Sequence, residues 1–464
     1  MRSRGLEAGA GGASGLQEQT GGAAGESAAG GATPAPDIAV APVLGPAIST
    51  GALLGDGFER STFEGFLGQA TGLASGSNTP QAEAREGGDA AAGAGPLLEL
   101  VGFDLDSGEA KWRLDPMAQF GLDPGVGVDR QFTFSDELGA MVLDQSGYAP
   151  DAPDAVLAVL DDTGEVVSET RIAPVERVIG FHGGTLVVGG EGRIAGYTAT
   201  ALGQPTWEAA YPGFERELFN PRTGTWLIFG AGGFIDALTG ETLASGADIA
   251  SAMYYLAEGD SDVLLRHDSE TLEVTRVDLR TGAAVWDHGV EATQIVAVAL
   301  VSGGVLMFDV LELGTGRGQV VGVDADSGEE LWSQPGYGLR VLTGAGALTV
   351  ASDFTDLAVR DLRTGAVLSQ RALGEEERLM CAGWDIAYLA DTGNQVTGLD
   401  LADGLADLWT VDLAGQLPTA EPGPIIPLAT GGRLFAARLA EMDWLLGGSA
   451  ATPESFLVEL KGGA

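Results

Sequence analysis

A single cysteine, Cys381, stands in the 464 residues of this chain. That excludes an intramolecular disulfide and any cysteine-based zinc site. Histidine is nearly as scarce: His182, His267 and His288 are the only three, and their spacing is not that of metal ligands. Lysine is confined to Lys111 and Lys461, so the other basic residues are arginine. Basic residues number 24 against 66 acidic ones, a formal net charge of -42. A coat of that sign repels phosphate backbones and anionic lipid headgroups, which argues against nucleic acid as a partner. Long apolar runs are missing too. The stretch "QIVAVALVSGGVLMF" (294 to 308) is broken at Ser302, Gly303 and Gly304, short of the roughly 20 residues that a membrane span needs. The opening "MRSRGLEAGAGG" carries positive charge with no apolar stretch behind it, so no secretory signal peptide is readable in the chain as written.

What is abundant is glycine, at 73 residues, within a sequence that is 45% hydrophobic. The two are unevenly distributed. Residues 1 to 45 are Gly, Ala, Ser, Glu, Thr and Pro with few large apolar side chains. Such a segment buries too little surface to offset its ordering entropy, and it reads as a disordered linker. A linker at this end suggests that a signal or membrane anchor precedes it. Residues 46 to 95 read as weakly structured or disordered: "AISTGALLGDGFERSTFEGFLG" has modest strand character, and a Gly/Ala-rich stretch follows.

From Pro96 to Ala464 the pattern changes to short strands cut by Gly-rich turns. "VGFDLDSGEAKW" ends at Trp112, "RVDLRTGAAVW" at Trp286 and "VGVDADSGEELW" at Trp332. The turn glycine recurs at 108, 164, 203, 240, 282, 328, 365 and 404, mostly about 40 residues apart. Short Val/Leu/Ile-rich segments with period-2 alternation at this repeat length indicate an all-β propeller, one four-stranded antiparallel blade per repeat. Asp104, Asp236, Asp278, Asp324, Asp361 and Asp400 precede the turn, where a carboxylate accepts from backbone amides two residues on. Trp112, Trp207, Trp286, Trp332 and Trp409 follow it. Each ring would lie between blades and bury on the order of 200 Å². Ser168, Ala244 and Ser369 replace the Trp in other copies, and Tyr197 replaces the Asp in the third. Counting from Pro96 gives thirty-three strands, one more than eight blades need. Eight blades is the expectation, with seven as the alternative. The ring would close with strands from both ends of the chain in one sheet, residues 455 to 461 or 432 to 440 joining residues 98 to 114.

This unit resembles the quinoprotein-type (PQQ-like) repeat, roughly Ala-x-Asp-x-x-Thr-Gly-x-x-x-Trp, and the resemblance covers residues 96 to 464. The Ala place is taken by Gly102, Gly322 and Gly398, or by Arg276 or Val359. The resemblance implies one of two kinds of protein. Some members are dehydrogenases that hold pyrroloquinoline quinone with a calcium ion, a catalytic Asp and often a disulfide between adjacent cysteines. Others are cofactor-free propellers such as outer-membrane assembly lipoproteins. With one cysteine that disulfide cannot form, and no Asp, Glu or Asn matches the calcium ligands by motif.

No other chemistry is signalled. "DLDSGE" (104 to 109) and "DADSGEE" (324 to 330) look like fragments of a calcium loop but lack its late bidentate Glu, and they read as turn caps. "GEEER" (374 to 378) reads as a solvated turn. "GTGRG" (314 to 318) has no Walker lysine and no helix after it. There is no G-x-S-x-G elbow. The expected protein has no catalytic, cofactor-binding or metal-binding residue. It is a monomeric, extracytoplasmic propeller that binds a protein, peptide or glycan through a loop face. The alternatives are a PQQ-dependent dehydrogenase and a ligand-sensing ectodomain tethered by a preceding N-terminal segment.

Overall fold

The computed structural model describes residues 35–462, apart from 56–57, 59, 79–97, 124–125, 127, 136–137, 146–153, 174–175, 191, 212–213, 231–232, 245–252, 269–272, 291–293, 313–317, 418–424, 431 and 439–454. The described residues are almost entirely β, with thirty-six strands and two short helices, Thr50–Leu54 and Pro116–Gln119. All strand pairings but one are antiparallel. Eight successive four-stranded meanders cover residues 60–114, 129–172, 177–211, 214–244, 253–289, 294–335, 337–372 and 378–412, here called meanders 1 to 8. A closing sheet combines Val43–Ser49 with Phe456–Lys461, Arg433–Arg438 and Ile426–Thr430, in that order.

First strands of successive meanders approach one another, and the fourth strands are the more exposed, so the first strands line an axis and the fourth form the rim. Nine apolar clusters each join one unit to the next. Leu73, Leu100, Met141 and Val156 join meander 1 to meander 2, for example, and Leu348, Val359, Leu389 and Leu405 join meander 7 to meander 8. The circuit is completed at the closing sheet. Val396 and Trp409 pack on its Leu434 and Val458, while its Phe435 and Leu457 pack on Val101 and Phe103 of meander 1. Among the described residues every unit in this circuit packs against a neighbour on either side, which removes the aggregation hazard of an open stack.

The hydrogen-bonded sheets number eight, seven of four strands and one of eight. The larger one joins meanders 5 and 6 through a short parallel pairing, Glu258 with Leu300 and Gly259 with Val301. Eight is therefore the number of sheets, whereas the four-stranded units, closing sheet included, number nine. All thirty-three strands expected after Pro96 are present, and the other three come from residues 43–77. That region was expected to be weakly structured. Instead Arg60–Leu67 and Thr71–Ser77 complete meander 1, and Val43–Ser49 completes the closing sheet. "TGLASGS" hides its strand character because it is made of small residues. Those residues are small because aromatic rings occupy the space above them: a Cβ on Gly72 would overlap Phe103, and one on Gly76 would meet Phe58 at 2.6 Å.

Closure by both ends of the chain holds, with a different partner from the one expected. Residues 456–461 and 433–438 share a sheet with Val43–Ser49, while Leu98–Asp104 pairs with Thr71–Ser77 and Ala110–Leu114. The linker assignment also ends earlier than residue 45. Its first part, 1–34, lies outside the described residues, but Ala35 and Ile38 are buried. Asp37 Oδ1 accepts from the backbone N–H groups of Asp385 (2.8 Å) and Ile386 (3.0 Å), and Ile38 N donates to the Tyr388 hydroxyl (2.9 Å). This strap lies where the closing sheet would otherwise have its own turn between third and fourth strands, the place where the two ends of the chain meet.

Candidate functional site

The repeated Asp–Gly–Trp set forms the joints between units. Each turn Asp caps its own turn: Asp361 Oδ1 accepts from Arg363 N (3.1 Å), Thr364 N (2.8 Å) and Thr364 Oγ1 (2.7 Å). Asp104, Asp236, Asp278, Asp324 and Asp400 do the same with the amides two and three residues on. These bonds hold the Asp104, Asp278, Asp324 and Asp361 carboxyls below the usual range, because they favour the charged form. The two calcium-loop look-alikes are thereby accounted for, their first Asp being spent on the turn. Asp161 plays the same role, accepting from Thr163 N (2.9 Å) and Glu165 N (3.0 Å). Sequence reading missed it because it stands three residues before its Gly rather than four. Gly365, at φ 67°, takes the left-handed conformation that closes such a turn. Gly203 does not belong to this set, and the connection around it, 199–206, is longer.

Each Trp lies between two units. Trp332 stands opposite Gly322 on its own sheet, where a Cβ would overlap the indole, and a Cβ on Gly365 of the next meander would come within 2.6 Å of it. Its Nε1 donates to Leu362 O (2.8 Å) across the interface. Trp112 and Trp286 donate in the same way to Asp162 O and Ala325 O, both at 3.0 Å. Trp409 donates to Ile38 O (2.7 Å), so the N-terminal strap supplies the carbonyl that a turn supplies elsewhere. The departures from the Ala of the repeat follow: Gly102, Gly322 and Gly398 leave room for a ring that an Ala Cβ would displace.

A concave feature of the ring lies on the axis. A cavity of about 370 Å³ is lined by first-strand residues of meanders 4 to 7, among them Glu217, Phe219, Tyr255, Glu258 and Arg340. Glu217 Oε2 accepts from Trp226 Nε1 (3.0 Å) and lies 3.8 Å from His182 Nε2, while the His182 ring stacks on Phe219 at 3.9 Å. Arg216 stands 5.4 Å from the Tyr255 ring centroid. Burial raises the Tyr255 hydroxyl and the Glu258 carboxyl, the latter against the opposing charge of Arg222. Arg222 in turn stacks on Trp384 of meander 8 at 5.2 Å, a contact between meanders four apart along the chain. Behind Arg340, the buried Asp309 accepts from Leu339 N (3.2 Å), and burial pushes its carboxyl up to about 6. None of these residues belongs to the repeat, and no sequence signal marked them. They come together only because first strands converge.

The cavity offers carboxylates, a phenol and a guanidinium, a set suited to holding a polar group. Cys381 stands apart from it, and burial pushes its thiol up to about 12, which favours the protonated form. Among the described residues no group of three or more His, Cys, Asp or Glu side chains converges as metal ligands. Nor is any helix there long and apolar enough to cross a membrane.

Residues 153–336 and 270–359 match the profile of the family described as outer membrane protein assembly factor BamB. Comparison with curated proteins finds no match. Among solved structures, the chain is similar to BamB from Moraxella catarrhalis at 14% identity, covering 78% of this chain and 91% of that one with a TM-score of 0.37. It is also similar to the quinohemoprotein alcohol dehydrogenase ADHIIG from Pseudomonas putida HK5 (12% identity, 91% and 77% covered, TM-score 0.38) and to Sqt1 from Saccharomyces cerevisiae (11% identity, 70% and 93% covered, TM-score 0.42). With its recurring Asp–Gly–Trp joints and this profile match over residues 153–359, the chain carries repeats of the PQQ-like type.

Proposed function

We propose that this protein is a closed, non-catalytic β-propeller, each four-stranded unit serving as a blade, that binds a protein partner through one face of the ring outside the cytoplasm. One observation supports this above the others, the inequality of the two faces. Connections from first to second strand and from third to fourth lie on one face, and they are tight, such as 183–184, 303–304 and 361–366. Connections from second to third strand and between units lie on the other. The strand ends on that face are joined by the longest connections in the sequence, 78–97, 115–128, 145–154, 413–425 and 439–455, all belonging to adjoining units on one arc of the ring. Binding residues are disproportionately found on loops held by a rigid scaffold.

A photo-crosslinking amino acid tests the reading. Placed at Gln119 or Asp154 on the loop face, it should capture one specific partner in cells, and placed at Arg280 or Ser327 on the turn face it should not. Capture from the turn face alone would overturn the reading. The non-catalytic part is tested by adding pyrroloquinoline quinone and calcium to the purified protein, where dye-linked alcohol oxidation would refute it.

A further inference from the structure

Three described residues other than glycine adopt a left-handed backbone: Phe354 (φ 58°), Asn394 (φ 68°) and Leu405 (φ 61°). Two of these are explained within the fold. Asn tolerates this conformation and is buried here, and Leu405 is 2% exposed in the apolar cluster between meanders 7 and 8. Phe354 has no such return. It is 48% exposed at the tip of the turn between Gly346–Ala351 and Asp356–Arg360, on the loop face. A chain that uses glycine freely elsewhere, including at most of its left-handed positions, places an aromatic ring in a strained turn and then leaves it in water.

The turn is firmly held. Phe354 N donates to Ala351 O (2.8 Å), Thr355 N and Oγ1 both donate to Asp353 Oδ1 (3.2 and 2.6 Å), and Leu373 N donates to Thr355 O (2.8 Å). Arg378 lies 5.9 Å from the ring centroid, its own Nη1 satisfied by Glu375 O and Glu377 O. Exposed carboxylates stand at Asp353, next to Phe354 in the turn, and at Glu375 and Glu376 in the connection that leads to Arg378.

We propose that Phe354 is the anchor of the protein-binding surface, inserting into an apolar socket on the partner that is bordered by Lys or Arg side chains. A pre-ordered exposed aromatic is the kind of residue that dominates binding energy, because little entropy is lost on docking. The acidic rim fixes the sign of the partner's charge. This inference rests on the platform reading and names the residue that would carry it.

The test is selection of phage-displayed random dodecapeptides on the intact protein, followed by binding and melting of the Phe354→Asn variant. Selected peptides should combine aliphatic or aromatic residues with Lys or Arg. Phe354→Asn should weaken them at least about tenfold, while its Tm stays level or rises, since Asn accepts the left-handed turn. A fall in Tm of several degrees would show that the ring serves the fold and would overturn the inference. So would peptides that crosslink to Gln119 or Asp154 but bind the variant unchanged, an outcome that leaves the platform reading standing. Peptides that crosslink only through Arg280 or Ser327 would sink the platform reading, and the inference with it.

Discussion

Two kinds of interface hold this ring together. Behind meanders 1, 3, 6 and 8 a Trp stands opposite a Gly: Gly102 with Trp112, Gly196 with Trp207, Gly322 with Trp332 and Gly398 with Trp409. Behind meanders 2, 4 and 7 the sizes are exchanged, with Val159 opposite Ser168, Phe234 opposite Ala244 and Val359 opposite Ser369. The following unit compensates. Where the Trp is missing, its turn brings Leu202, Leu279 or Leu405 towards the gap. Close packing is therefore conserved in volume across three chain segments rather than residue by residue. The degenerate repeats are a second solution to the same space. Meander 5 is an intermediate case, with Arg276 opposite Trp286 and reaching over it to Ala325 O and Asp326.

The largest test of this comparison removes the ring. Trp332→Ala should cost about 3–5 kcal/mol, the usual penalty for emptying a large buried aromatic site. Urea unfolding reads it directly, and a loss below about 1 kcal/mol would mean that the interface does not depend on the indole.

A smaller loss is expected at the joint between meander 8 and the closing sheet, where Ile38 supplies the carbonyl for Trp409. Removing residues 1–34 should leave the melting temperature unchanged. Removing residues 1–41 should lower stability by about 2–4 kcal/mol, from lost burial of Ile38 and from the loss of strap partners for Trp409 Nε1, the Tyr388 hydroxyl and the Asp385 and Ile386 amides. Equal melting of the two truncations would show that the strap does not replace the missing turn.

The smallest effect sharpens the comparison by converting one interface into the other. Ser369→Trp alone should cost about 1–3 kcal/mol by overpacking against Val359 and Leu405. Adding Val359→Gly and Leu405→Gly should recover most of that loss. Additive losses in the triple variant would refute the exchange of volumes.

Much of the ring was legible in the sequence. The Asp–Gly turn and the Trp after it are local devices, and their chemistry is the same wherever they occur. Hence the unit, its turns and the strands after Pro96 could all be read. Thr71–Ser77 could not, because its small residues make sense only beneath Phe103 and Phe58. The axial residues Glu217, Tyr255, Glu258 and Arg340 could not either, since they are far apart in sequence and carry no motif.

The sequence by itself determined the all-β class, the repeat length, the capped turns and the Trp that each joint uses, because each is carried by a recurring motif whose residues lie within a dozen positions of one another. Only the tertiary structure decided how many units stand in the circuit, that residues 35–49 complete it, and that Phe354 is left in water. Those outcomes depend on which surfaces meet when the two ends of the chain close one ring, and contacts between residues hundreds of positions apart, such as Ile38 with Trp409, leave no local pattern to read.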